Sequence, residues 1–183
     1  MVAFCNVRNA KYWIETLQLL QHPEGGFYSE TYRADITIDS CEGTRKKRQN
    51  DLTDHRGRSI SSTIYYLLEG AQVSMFHRMR DADEIWHFYS GSSLTIYLIE
   101  EATRKLLELK LGCEPQSGEM FQILIKRGSW FGAKVDDSSS YSLVGCTVSP
   151  AFTFADFELA DRTSLINMYP EHTNIIKKLT RCP

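Results

Sequence analysis

Alternating apolar and polar positions run through the middle of the chain, and this period of two predicts a succession of short β-strands. Glycine, aspartate and serine residues interrupt the pattern and predict turns between the strands. Strands at this density, with helical patterns only near the two ends, favour an antiparallel barrel or sandwich. The predicted strands cover residues 27–38, 59–68, 73–78, 84–89, 93–100, 104–111, 120–126, 129–135, 141–148 and 152–157.

Helical spacing of apolar residues flanks this β-rich region. An amphipathic helix of about three turns is predicted from residue 9 or 10 to residue 21. Pro23 ends it, and Gly25-Gly26 are expected to form a tight turn with positive φ angles or close backbone packing. A second helical pattern covers residues 163–179, is interrupted at Pro170, and is expected to pack outside the barrel.

The composition is that of an ordinary globular protein. The 183 residues are 42% hydrophobic and 24% charged, which suits one domain over residues 1–183 with a sizeable core. A net charge of −2 gives no general attraction to nucleic acid or to an anionic membrane. The sequence shows neither a membrane-spanning apolar run nor a secretory signal, so we expect a cytoplasmic protein.

The cysteines fit a cytoplasmic protein, and the basic residues fit a solvated surface. Five cysteines without paired spacing are expected to be reduced thiols. Cys146 lies inside an apolar strand pattern and is interpreted as a small core residue. Residues 39–58 are polar and contain the basic run 45–48, with no interleaved aromatic residue. We interpret this segment as a charged surface loop rather than an anion-binding patch.

One acid and one imidazole fall on neighbouring predicted strands between Gly70 and Gly91. Alternation places Met75 and Met79 on the face of His77, with Ser74, Phe76 and Arg78 on the other face. On the next strand Glu84 shares a face with Trp86 and Phe88, whereas His87 faces away. We predict a hairpin that points His77 and Glu84 inward. Because a buried carboxylate and imidazole need partners or a ligand, this pair is a candidate site.

The spacing of His77, Glu84 and Gly91 resembles the first signature of the cupin family. Longer stretches resemble one cupin branch, the uncharacterised DUF985 or cupin_5 family, although Ala151 stands where that family usually has glycine. The resemblance implies an all-β double-stranded β-helix (jelly roll) with an N-terminal helix and a C-terminal helical tail. It also implies a homodimer, but no settled reaction. The stretches that carry it are residues 22–33, 76–78, 83–91, 128–133 and 142–152.

Metal binding is one function that the resemblance raises. Cupin metal sites use about three histidines and a carboxylate. His77 and Glu84 fill two of these positions, but Met79 and Phe131 stand where two further histidines are usual. We therefore expect no resident metal or other cofactor, and place any weakly bound divalent ion at His77 and Glu84.

Proton transfer without a metal is the alternative. Some cupins epimerise nucleotide-linked sugars with a histidine base and a tyrosine acid. A similar division of catalytic roles in this chain would make His77 the base and Glu84 the carboxylate that orients it. Tyr28 or Tyr65 would donate the proton, and the sequence does not choose between them. The simpler interpretation is that His77 and Glu84 only satisfy each other.

Several further residues are candidate ligand contacts. The predicted strand at 27–38 and the turn before it carry Glu24, Glu30 and Arg33. Arg33 would clamp a carboxylate or phosphate, pair with Glu30, or lie at a dimer interface. Trp86 and Trp130 would stack on a ligand ring or belong to the core, and Trp130 is the better ligand contact because it follows a turn.

The leading hypothesis is a small-molecule-binding cupin that acts as a metal-independent sugar or nucleotide-sugar isomerase or epimerase. The ligand is expected to be sugar-like or anionic. A non-catalytic binding protein and a metal-dependent oxygenase remain alternatives, and the sequence does not decide whether the protein is an enzyme. We also predict a homodimer, with the strand from Phe27 adding to the partner's sheet.

Overall fold

The computed structural model describes residues 8–38 and 57–181, and most of its strands belong to two antiparallel sheets. The six-stranded sheet contains, in spatial order, β1 (Leu20–Gln21), β2 (Phe27–Arg33), β5 (Ser62–Glu69), β12 (Tyr141–Ser149), β7 (Asp83–Gly91) and β10 (Gln122–Ile125). The five-stranded sheet contains β13 (Phe157–Leu159), β6 (Val73–Met79), β11 (Trp130–Val135), β8 (Leu94–Ile99) and β9 (Leu106–Leu111). A short separate pair joins β3 (Thr37–Ile38) and β4 (Arg58–Ser59).

The main core lies between the two sheets and confirms the predicted all-β jelly roll. Trp86, Val144 and Cys146 of the six-stranded sheet are buried with Ile96 and Phe131 of the five-stranded sheet. Burying the apolar faces of both sheets against each other is the main favourable term in folding. Cys146 is therefore a buried residue, as predicted.

Helices cover the outer faces of the sheets. The N-terminal helix α1 (Ala10–Thr16) packs on Leu67 and Leu143 of the six-stranded sheet. The C-terminal helices α2 (Arg162–Met168) and α3 (Thr173–Lys178), separated by a 3-10 turn at Pro170–His172, cover the five-stranded sheet. None of the described helices is long and apolar enough to span a membrane.

Several predicted elements differ from the structure. The N-terminal helix ends at Thr16 rather than residue 21, because the chain turns at Gln18, which has a φ of 51°, and Leu20–Gln21 then pairs with β2. Residues 152–156 form a loop instead of a strand. Most of the predicted charged loop at 39–58 lies outside the described residues.

The most consequential error concerns the predicted hairpin. The strands β6 and β7 do not pair, because β6 belongs to the five-stranded sheet and β7 to the six-stranded sheet. His77 and Glu84 therefore approach the interior from opposite walls. The dimer prediction stays untested. In the strand proposed for it, β1 pairs with the first two residues, Phe27 and Tyr28.

A β-bulge in β6 changes which residues share a face. Phe131 of β11 pairs with His77, and Ala133 pairs with Ser74. An advance of two residues along β11 therefore lies opposite an advance of three residues along β6. The extra residue reverses the alternation locally. Ser74, predicted to face away from His77, instead contacts the same carboxyl group, that of Glu24.

A glycine turn between β1 and β2 carries two polar residues into the barrel. Gly25 has a φ of 113° and Gly26 a φ of 68°, as the predicted tight turn requires. The turn is closed by hydrogen bonds of 3.0 Å from the Gly25 N–H to the His22 carbonyl and from the His22 N–H to the Gly26 carbonyl. His22 and Glu24 are thereby fixed beside β6.

Replacing Gly25 with alanine tests this constraint. A Cβ at Gly25 would lie 2.2 Å from the Val73 carbonyl oxygen, whereas a Cβ at Gly118, whose φ is 81°, would meet no atom within 4 Å. We expect Gly118→Ala to lower the free energy of unfolding by about 1–2 kcal/mol through its φ angle alone. Gly25→Ala is expected to cost about 2 kcal/mol more, because the backbone must move. Urea unfolding measures both, and equal losses would contradict the packing argument.

Candidate functional site

A small cavity of about 50 Å³ lies between the two sheets at one end of the jelly roll. Its polar wall combines carboxyl and imidazole groups, and its apolar wall combines aliphatic side chains with aromatic rings. Such a mixture of converging polar groups in an apolar recess is typical of a small-molecule site. The lining residues are His22, Glu24, Tyr28, Glu30, Ser62, Ile64, His77, Met79, Glu84, Cys146, Val148, Phe152 and Phe157.

Glu24 lies at the centre of the polar contacts. Its Oε1 accepts a hydrogen bond of 3.0 Å from the Ser74 hydroxyl. Its Oε2 lies 3.2 Å from Nε2 of His77 and 3.5 Å from Nδ1 of His22. The nearest carboxylate to His77 is thus Glu24 and not Glu84, which corrects the pairing predicted from sequence.

The contacts of the imidazoles fix where protons lie. Nδ1 of His77 is 2.7 Å from the Met75 carbonyl oxygen, which only accepts, so Nδ1 carries a hydrogen. Nδ1 of His22 accepts from the backbone N–H of Glu24 at 3.3 Å and so presents a lone pair. With neutral rings and an ionised Glu24, Oε2 would face only lone pairs. A proton shared between Glu24 and His77 removes this repulsion.

Burial drives the pKa shifts within this cluster. It raises the pKa of Glu24, against the opposing charge of His22 and hydrogen bonds from Ser74 and Tyr66. It lowers the pKa of His77, against the opposing charge of Glu84 and the Met75 hydrogen bond. Glu24 becomes a weaker acid and His77 becomes a weaker base, so the pKa values of the two groups approach each other.

Glu84 is the second carboxyl group of the polar wall. Burial raises its pKa to about 7, and the charge of Glu24 adds to this effect. His77 and hydrogen bonds from Trp86 and Cys146 act in the opposite direction. The Trp86 indole N–H donates to Oε1 of Glu84 at 2.8 Å. Burial also raises the pKa of the Cys146 thiol well above its ordinary value, so the thiol stays protonated.

Aromatic rings form the other side of the cavity. The His22 ring makes an edge contact with Tyr28, with ring centres 4.7 Å apart. The Phe157 ring lies 5.4 Å from the His77 ring and 5.8 Å from the Phe152 ring. These rings reduce contact of the buried acids with water, which strengthens the electrostatic effects of burial.

Five residues expected to form the site do line the cavity. They are His77, Glu84, Tyr28, Glu24 and Glu30. Arg33 is not among the lining residues, because its guanidinium pairs with both oxygens of Glu30, at 3.0 and 2.6 Å, and donates to the Phe152 carbonyl oxygen. Of the three roles considered for Arg33, the structure shows the pairing with Glu30.

The other three expected ligand contacts lie elsewhere. Tyr65 packs against Tyr89, with ring centres 5.9 Å apart, outside the cavity. Trp86 is buried in the main core and reaches the site only through its bond to Glu84. Trp130 is buried beneath the C-terminal helices, with the Arg78 guanidinium 4.5 Å from its ring centre.

Sequence reasoning missed His22, Ser74, Cys146 and Phe157 as site residues. His22 immediately precedes the Pro23–Gly26 turn, and its closeness to a glycine pair was a usable signal. Ser74 carried no such signal, because the bulge that turns it inward depends on pairing between strands distant in sequence. His87 faces away from the cavity, as predicted, and contacts Gln122 and Thr147.

The donor set does not fit the metal that a cupin resemblance implies. Among residues 8–38 and 57–181, no group of three or more histidine, cysteine, aspartate or glutamate side chains is arranged to hold an ion. Met79 lines the cavity and Phe131 packs 4.1 Å from the His77 ring, so neither supplies a ligand for a hard cation. The expected absence of a cofactor stays a prediction.

Solved structures with the same fold cover nearly the whole chain. The protein SO0799 from Shewanella oneidensis is 40% identical, with a TM-score of 0.82 over 96% of this chain and 99% of that one. A hypothetical protein from Leishmania major is 31% identical, with a TM-score of 0.82 over 95% of this chain and 99% of that one. The uncharacterized protein YML079W of Saccharomyces cerevisiae is 25% identical over 147 residues, which are 78% of this chain and 71% of the yeast protein.

A family model identifies the family of the chain. The model of Cupin_5, described as cupin superfamily (DUF985), matches residues 11–160. This range includes every lining residue of the cavity, from His22 to Phe157. The chain therefore belongs to the Cupin_5 (DUF985) family of the cupin superfamily.

Proposed function

We propose that the protein is a metal-independent isomerase or epimerase that moves a proton on a sugar-like ligand held in the cavity. The observation that carries this proposal is the 3.2 Å contact between Glu24 and His77, beside a second carboxyl group whose pKa burial raises to about 7. Groups whose pKa values lie near the working pH are suited to general acid–base catalysis.

The contacts of His77 favour a different division of roles from the one suggested by sequence. Its Nδ1 binds the Met75 carbonyl and its Nε2 faces Glu24, so both ring nitrogens already have protein partners. His77 is therefore suited to setting the protonation of Glu24. Glu84, with a pKa of about 7, is better suited to accept a proton from the ligand.

The proposed step uses these groups in sequence. Glu84 takes a proton from a carbon beside the ligand carbonyl, and the electron pair of the broken C–H bond forms a carbon–carbon double bond. The Glu24–His77 pair gives its proton to the carbonyl oxygen, which yields an enol. As a proton returns to carbon, the enol O–H, or the hydroxyl on the neighbouring enol carbon, gives its proton back to the Glu24–His77 pair. This restores a carbonyl and completes an epimerisation or an isomerisation, respectively. In this proposal Tyr28, which lines the cavity, orients the ligand or donates the proton to carbon and is then reprotonated by Glu84.

The charges of the wall favour a neutral polyhydroxyl ligand over the anionic alternative. The lining residues include three glutamates but no lysine or arginine. The charge of Glu30 is already matched by Arg33. An anion entering the cavity would lose hydration without gaining a cationic partner, whereas ligand hydroxyls both donate to carboxylates and accept from protonated acids.

Exchange of substrate hydrogen for solvent deuterium tests the proposal. Reducing sugars, ketoses and amino sugars incubated with the protein in deuterium oxide are followed by proton NMR. We expect one of them to lose the signal of a C–H beside its carbonyl. Glu84→Gln should slow this exchange by about 10²–10⁴-fold, the usual contribution of a general base.

Two further variants assign the roles. His77→Asn should retain part of the exchange and shift its pH profile, because His77 acts through Glu24. His87→Asn is the matched control, since His87 lies on the strand of Glu84 but on its outer face. Sugars that bind without exchange in the wild-type protein would instead support the non-catalytic binding function.

The protonation of Glu84 has a separate signature in stability. Its pKa is 4.5 as a free side chain and about 7 in the folded protein, so the folded state holds a proton that the unfolded chain has lost between these values. Its contribution to stability therefore falls as pH rises through this window. We expect the stability of Glu84→Gln relative to wild type to increase by up to about 3 kcal/mol from pH 4.5 to 7. Urea unfolding across this range measures it, and a constant difference would contradict a buried, protonated Glu84.

A further inference from the structure

The cavity opens to the surface on one side. Its lining runs from the buried His77 and Glu84 to the exposed Glu30 and the half-buried Phe152. A ligand whose carbonyl group reaches the buried acids therefore also contacts the rim of the cavity. The side chains of the rim then determine which ligands are accepted.

The loop at residues 150–157 forms one side of this rim and is firmly anchored. The Ala151 N–H donates to the Ser59 carbonyl at 2.9 Å, and the Phe152 N–H donates to the Ser62 hydroxyl at 2.9 Å. At its other end Asp156 is buried and pairs with the Arg58 guanidinium. Anchors at both ends reduce the entropy that the loop would lose on binding a ligand.

One large apolar side chain of this loop remains in water. Phe154 is 62% exposed. Its ring makes edge contacts with Phe152, at 5.0 Å between ring centres, and with Phe157, at 6.3 Å. Because Phe152 and Phe157 line the cavity, the aromatic surface continues from the cavity wall to the outer surface at Phe154.

We infer that Phe154 is a specificity-determining residue, and that the ligand carries a planar aromatic ring which packs on Phe154 while its polar part enters the cavity. This inference rests on the proposed use of the cavity and adds the class of ligand. Packing of the ring on Phe154 removes two apolar surfaces from water. Phe154 forms the outer end of the aromatic surface, and its ring contacts with Phe152 and Phe157 hold it in place before the ligand arrives.

Phenyl and methyl β-glucopyranoside test the inference, because they share a polar part and differ in the ring. Calorimetry or ligand-observed NMR at the same pH gives both affinities. We expect the phenyl compound to bind about tenfold more tightly, as an aromatic contact of ordinary strength would provide. Phe154→Ala should abolish this difference, and Phe154→Trp should retain it.

Phe121→Ala is the matched control. Phe121 is 54% exposed, close to the exposure of Phe154, but it lies next to β10 and outside the cavity lining. We expect it to change neither affinity. Equal affinities of the two glucosides, no detectable binding of the phenyl compound, or a ring preference that survives Phe154→Ala would each overturn the inference.

The outcomes separate this inference from the proposed function. A ring preference that depends on Phe154, found in a protein that exchanges no deuterium, would support the ligand class and reject the isomerase. Deuterium exchange on a sugar, without a ring preference, would support the isomerase and reject the role of Phe154.

Discussion

A buried carboxyl oxygen that faces two imidazole nitrogens sets the requirements for the rest of the site. Oε2 of Glu24 lies 3.2 Å from one ring and 3.5 Å from the other. The Met75 contact of His77 and the Glu24 N–H contact of His22 leave these two nitrogens without a hydrogen when the rings are neutral, so a proton on Glu24 or His77 relieves the repulsion. Removing water from the cluster keeps this proton in place, since burial disfavours both the carboxylate and the imidazolium. Proton affinity is the chemical property that this cavity concentrates.

The jelly roll brings the acid–base groups together from three separate parts of the chain. A glycine turn presents Glu24, a bulged strand of one sheet presents Ser74 and His77, and a strand of the other sheet presents Glu84. Each support belongs to a regular element or a tightly packed turn. Sites built on such rigid supports hold their geometry better than sites on long loops.

The cavity interior and its rim have different physical characters. The interior combines buried acids and imidazoles within a small volume, so it is suited to the reacting atoms of a ligand. The rim is an anchored loop with an exposed aromatic ring at Phe154. Binding energy gained from a part of the ligand remote from the reacting atoms is one way in which enzymes offset the cost of positioning them. The proposed chemistry and the proposed ligand class are therefore complementary parts of one arrangement.

The sequence by itself determined the β-rich architecture, the glycine turn, the buried Cys146 and the presence of His77 and Glu84 in an interior site. These features depend on local patterns: alternation, turn-forming residues and the need of buried charges for partners. The tertiary structure decided which residues meet. The connection between β6 and β7 looks like a hairpin turn in sequence, yet the chain crosses there from one sheet to the other. The bulge at Ser74 and the approach of Glu24 to His77 depend on contacts between segments far apart in sequence, which no local pattern encodes.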